Sequence, residues 1–185
     1  MQSTTSEFMQ CFLRLFVLVI GIWCIGGTFG WWFQATDHAS VQEHPNEWNT
    51  TLTDFKASKI ILNNLLVITI AVTGFFTGGI TPVLTLLVNG FIAVLFLKDF
   101  NITDLPWEVK CRLPYVVLEI SALWISSTAG LLGCSQVFKL FTTSRFYFLS
   151  KELRFILTTY FISIVLTIIA GLLEANLIIM LMKQI

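Results

Sequence analysis

Apolar residues run along this chain in long stretches broken by one extended polar segment and two shorter mixed ones. The first stretch, about 11–33, is long enough at ~1.5 Å per residue to cross ~30 Å of hydrocarbon as a helix. Trp31 and Trp32 at its end suit the water–lipid boundary, and Arg14 near its start reads as a snorkelling side chain. The next stretch, 59–97, is too long for one crossing and breaks at Thr77-Gly78-Gly79-Ile80-Thr81-Pro82. Glycine suits a helix end and proline a helix start, so the pattern predicts helices over about 60–77 and 82–97 joined by a tight turn. Both are short for a full span, which leaves a re-entrant hairpin as the alternative to two crossings. Two further apolar stretches predict helices over about 113–134 and 153–182. The fold class is therefore all-α: a polytopic helical membrane protein of about five transmembrane helices, residues 1–185 forming a single integral membrane domain.

Composition narrows the function. With 56% hydrophobic and 12% charged residues, and a mean hydropathy of +0.81, the chain falls outside soluble globular domains. Its formal net charge of zero gives no reason to expect nucleic acid. The first apolar stretch exceeds a signal-peptide core and is followed by no convincing small-x-small cleavage site, so it reads as a retained helix. Cys11, Cys24, Cys111 and Cys134 have no paired spacing and read as small apolar residues. The polar segment 34–58 holds Asp37, His38, Glu43, His44, Glu47 and Asp54. That spacing matches no helix-borne ligand motif, and the segment reads as a solvated loop. No P-loop, G-x-S-x-G, H-E-x-x-H or dinucleotide fingerprint occurs. Neither an enzyme, a metal nor a cofactor is expected.

The informative residues are polar ones inside apolar stretches. Glu119 lies six residues into the fourth predicted helix, where a bare charge costs at least ~2.5–3.5 kcal/mol on insertion scales. Counting ~1.5 Å per residue from the nearer helix ends places Glu119 ~9 Å deep, Glu174 ~12 Å, Asn89 ~12 Å, and Asn63 and Asn64 ~4–6 Å. All five residues fall in the same half of the membrane, on the side of the 34–58 loop. They are expected to form one intramembrane polar cluster, with at least one carboxyl protonated and the asparagines completing the hydrogen bonds. The alternative is that each group meets water separately. Around Glu119 the helical period collects Ala122, Ser126, Gly130 and Gly133 on one face, while Gly74, Gly78 and Gly90, and later Ala170 and Gly171, stand at other small-residue positions. Small residues let helix backbones approach closely in lipid, so these are the expected helix-packing positions.

The order of these residues resembles a known family. Asn63-Asn64, Gly74, Gly78 and Asn89-Gly90 are followed by Leu113-Pro114, Leu118-Glu119 and Ala129-Gly130-Leu131 through Gly133, and then by Glu174-Ala175. Together they resemble the stage II sporulation protein M family. That family usually has His-Gly after the proline, where this chain has Tyr115-Val116. The resemblance implies a membrane anchor: in spore formers such a protein looks like the part of a peptidoglycan-remodelling complex that holds two wall-degrading partners. The family extends beyond spore formers, so the sporulation role itself is not implied.

Five crossings place the termini on opposite sides. The basic, aromatic segment 139–154 carries Lys139, Arg145, Lys151 and Arg154 with one acid, Glu152, whereas the two other long loops carry seven acids. The positive-inside rule then favours a cytoplasmic amino terminus in a multi-pass protein of the cytoplasmic (inner) membrane. The expected function is a non-enzymatic membrane scaffold that assembles membrane or envelope partner proteins, with cell-wall remodelling as one setting. Its partners are the lipid bilayer and other membrane or envelope proteins, and self-association into a homo-oligomer is compatible with the packing faces. The alternative is a small transporter or channel subunit that uses the intramembrane carboxylates and amides.

Overall fold

The computed structural model describes residues 3–36, 57–98, 113–143 and 149–182, all within or between helices. The elements are α1 (Ser3–Thr36), α2 (Ala57–Val72) continued by a 3-10 turn (Thr73–Phe75), α3 (Ile80–Lys98), α4 (Leu113–Thr143) and α5 (Leu149–Met182). The polar segment 34–58 and the segments around 99–112 and 144–148 lie largely or wholly outside the described residues. So does Cys111.

Three helices are long and apolar enough to cross a membrane, over Met9–Phe33, Pro114–Lys139 and Glu152–Asn176. Two shorter apolar helices, Ile61–Phe75 and Ile80–Leu95, form a hairpin between the first and second of these. α1, α4 and α5 run beyond the expected ends, to Ser3, Thr143 and Leu149. The reason is physical: hydropathy marks where hydrocarbon ends, while a helix can continue its hydrogen bonds into the headgroup layer.

Contacts fix the direction of each helix. Gly26 meets Leu87 and Gly30 meets Phe91, so α1 and α3 run the same way. Gly130 meets Ala71 and Gly133 meets Phe75, so α2 and α4 run the same way. Gly171 of α5 meets Ile61 near the start of α2, and Gly133 near the end of α4 meets Ile156 near the start of α5. α5 therefore opposes both α2 and α4. Each helix runs opposite to its neighbour in the chain.

The hairpin turn is built as its residues require. Gly78 and Gly79 have φ of 65° and 85°, a left-handed conformation that side chains with a Cβ adopt at a cost. The Gly79 N–H donates to the Gly74 carbonyl (2.8 Å) and the Phe76 N–H to the Thr73 carbonyl (2.9 Å). The Thr77 hydroxyl accepts from the Thr81 N–H (3.3 Å) and pairs with the Thr81 hydroxyl (2.9 Å). Pro82 sits in the first turn of α3, where its missing N–H has no helical acceptor to leave unpaired. Gly79 lies against Leu131 and Cys134 of α4. The hairpin tip is thus level with Cys134, ~7 Å short of the end of the α4 span at Lys139.

Two apolar clusters hold the bundle. Val19, Ala71, Leu86 and Leu123 join α1 to α4, with Trp23 and Trp124 against them. Ala129, Leu132 and Ile156 form the second, with Phe12, Leu15 and Phe155 packed on it. Edge-to-face rings tie the clusters across helices, Phe12 to Phe155 (5.3 Å) and Trp23 to Trp124 (5.7 Å). Such pairs add about 0.5–1.5 kcal/mol each beyond burial. Outward-facing Val17, Leu62, Val88 and Phe161 are well exposed, as a lipid-facing surface requires.

Candidate functional site

The polar residues that converge lie on α2, α4 and α5. Asn64, half-buried on the inner face of α2, donates its amide N–H to Oε1 of Glu119 on α4. Glu174, half-buried near the end of α5, is close enough to act electrostatically on Glu119. The helix directions explain the meeting: α2 and α4 both begin on this side of the membrane and α5 ends on it. An asparagine amide offers both donors and an acceptor, so Asn64 can serve a carboxyl in either protonation state.

A second tie follows deeper along α2. The Thr69 hydroxyl donates to the Leu65 carbonyl of its own helix (2.6 Å) and can at the same time accept from the Tyr160 hydroxyl of α5 (2.8 Å). α2, the shortest of the helices, is thereby fastened by a side-chain hydrogen bond to each of the two long helices beside it. Sequence reasoning missed Thr69 and Tyr160. Tyrosine in an apolar stretch does signal a buried polar handle in need of a partner.

Two expected members of the cluster stand apart. The Asn89 amide donates to the Thr85 carbonyl one turn back on its own helix (2.8 Å), and no described hydrogen bond joins it to Glu119. α3 lies along α1 through Gly90, which puts Asn89 elsewhere around the bundle. Asn63 is exposed on α2, because one residue turns a helix by ~100°.

Most expected packing positions are in tight contact. A Cβ at Gly130 would lie 2.3 Å from the Ala71 carbonyl oxygen, and one at Gly90 would lie 2.1 Å from that of Trp23. Gly74 abuts Pro82 and Gly130, Gly133 abuts Phe75, and Gly171 abuts Ile61. Ala122, Ser126 and Ala170 are fully buried. Gly78 is the correction: nothing lies within 4 Å of it, and its glycine serves the positive φ of the turn. Beside the predicted small residues, Ser127, Thr128 and Thr159 are also buried. The Thr128 and Ser163 hydroxyls donate to carbonyls four residues back, at Trp124 (2.7 Å) and Thr159 (3.2 Å). Ser127 Oγ and the indole N–H groups of Trp23 and Trp124 are buried without a hydrogen-bond partner.

Among the described residues no group of three histidine, cysteine or acidic side chains could hold a metal ion. His38 and His44 lie outside them.

A family model, Stage II sporulation protein M, matches residues 17–177, from within α1 to within α5. The chain belongs to the stage II sporulation protein M family. A curated relative, an uncharacterized protein of Methanocaldococcus jannaschii, is 30% identical over 130 residues, which cover 65% of this chain and 69% of that protein. No solved structure matches. Within this family chain, the matched region includes Asn64, Glu119 and Glu174, the three residues brought together, as well as the glycines at which helices touch.

Proposed function

We propose that this family member is a non-enzymatic membrane scaffold that anchors membrane or envelope partner proteins in the cytoplasmic membrane, its amino terminus on the cytoplasmic side. One observation carries the reading: two side-chain hydrogen bonds tie α2 to both α4 and α5. Asn64 is bound to Glu119, Thr69 to Tyr160, and buried serines and threonines to carbonyls of their own helices. Glycine contacts at backbone distance between α1 and α3 and between α2 and α4 add a close-packed frame. Such a frame suits an anchor that presents loops and outer faces to partners. The family resemblance, with its membrane anchor of a wall-remodelling complex, supports the same role.

Affinity purification from native membranes in mild detergent tests it. Co-purification of envelope or wall-remodelling proteins, and their mislocalisation when the chain is deleted, is the expected result. A protein that purifies alone, with unchanged envelope protein positions on its deletion, contradicts it. Transport is the second reading, favoured by the proximity of two intramembrane carboxyls, Glu119 and Glu174. Solute-dependent flux by the chain alone distinguishes it.

A further inference from the structure

The α5 end opposite the Glu119 cluster carries a feature that the scaffold reading does not use. A shallow, largely open groove follows the outer face of α5, lined by Leu153, Arg154, Leu157, Thr158 and Phe161. Arg154, Leu157, Thr158 and Phe161 are spaced three, four and seven residues apart, so they share one helix face. Arg154 is exposed and makes no ion pair among the described residues. It lies two residues inside the start of the α5 span, which begins at Glu152. Leu157 and Phe161 lie ~4.5 Å and ~10 Å deeper along the axis, and both are more than half exposed. The α4 span ends at Lys139, so that cation sits at the same membrane boundary. Exposed Phe138 and Phe141 flank it.

We propose that this groove binds one anionic phospholipid of that leaflet, with its phosphate on the Arg154 guanidinium and an acyl chain along Leu157 and Phe161. The chemistry matches at both ends. A guanidinium offers a planar fork of N–H donors that fits two phosphate oxygens. Below it the side chains are apolar at the depth where acyl chains begin. The Thr158 hydroxyl is turned back to the Arg154 carbonyl (2.8 Å), which leaves the groove floor apolar. A zwitterionic lipid fits the apolar part equally well. It carries a choline cation beside its phosphate, so the gain from Arg154 is reduced. The selectivity therefore rests on charge at the mouth, and the affinity on the groove.

Native mass spectrometry of the full chain released from nanodiscs of equal phosphatidylglycerol and phosphatidylcholine tests this. One phosphatidylglycerol should be retained in preference to phosphatidylcholine. Arg154→Gln should reduce that preference about fivefold, the change given by one basic group near the surface. Arg154→Lys should keep most of it. Arg14→Gln removes another exposed cation that belongs to the same boundary, at the start of α1, and should leave the preference unchanged. Equal retention of both lipids by the unmodified protein overturns the proposal. So does an equal loss in Arg14→Gln and Arg154→Gln, which would mark a general charge effect without a site.

Discussion

Replacing Glu119 by leucine leaves the Asn64 amide facing an apolar side chain inside the bundle. The Asn64–Glu119 hydrogen bond joins α2 to α4, and both residues are half-buried, so water replaces the lost partner incompletely. An orphaned buried polar group costs about 1–3 kcal/mol, while side-chain hydrogen bonds between membrane helices average ~0.6 kcal/mol with a maximum near ~1.7. Glu119→Leu should therefore destabilise the protein by about 1–3 kcal/mol. Glu119→Gln keeps an acceptor oxygen of nearly the same shape and should cost less than ~1 kcal/mol. Asn64→Leu added to Glu119→Leu removes the orphan, so the double variant should be more stable than the sum of the two single changes predicts. The coupling should be ~0.6–1.7 kcal/mol. Reversible unfolding in mixed micelles with increasing SDS measures the unmodified protein, the three single variants and the double variant on one scale. Additive losses, or a Glu119→Gln variant as unstable as Glu119→Leu, would refute the tie.

Three further outcomes follow from the packing and the helix directions. A Cβ at Gly130 would stand 2.3 Å from a backbone oxygen of α2, whereas one at Gly21 meets nothing within 4 Å. Gly130→Ala should therefore cost about 1–3 kcal/mol by forcing helices apart, and Gly21→Ala should be neutral or stabilising by up to ~1 kcal/mol; equal thermal shifts would contradict the contact. Tyr160→Phe removes the hydroxyl paired with Thr69 and should cost ~0.6 kcal/mol, up to ~1.7, in the same unfolding assay; no loss would show the pair to be unimportant. For sidedness, single cysteines replacing Ser58 at the start of α2 and Thr142 at the end of α4, both exposed, should differ on intact cells: an impermeant maleimide should label the first and spare the second, and the reverse pattern would invert the orientation.

The helices and their order were legible because apolar length is a direct signature of hydrocarbon thickness. The α2–α3 break was legible from Gly78-Gly79 and Pro82, whose backbone preferences leave little choice. Counting residues from helix ends gave height along each helix, and that sufficed to bring Asn64 to Glu119 and Glu174 near Glu119. It failed for Asn89 and Asn63 because a single sequence gives height along a helix but not which neighbour each face meets. That second coordinate comes from the close glycine contacts, which set α3 on α1 and α2 beside α4 and α5. Gly26 and Gly30 stand at a G-x-x-x-G spacing, but the residues they meet, Leu87 and Phe91, carry no mark of their own. Gly78 looked like a packing residue from its register, while its true demand, a positive φ, is a property of the turn.

The central claim is that the intramembrane polar groups fasten an anchor and do not carry solute. Reconstitution of the purified chain in sealed liposomes, with ion-sensitive and pH-sensitive dyes inside, tests it most directly. The account predicts no flux above protein-free liposomes, and no change on Glu119→Gln; saturable flux that the Glu119→Gln change abolishes would contradict it.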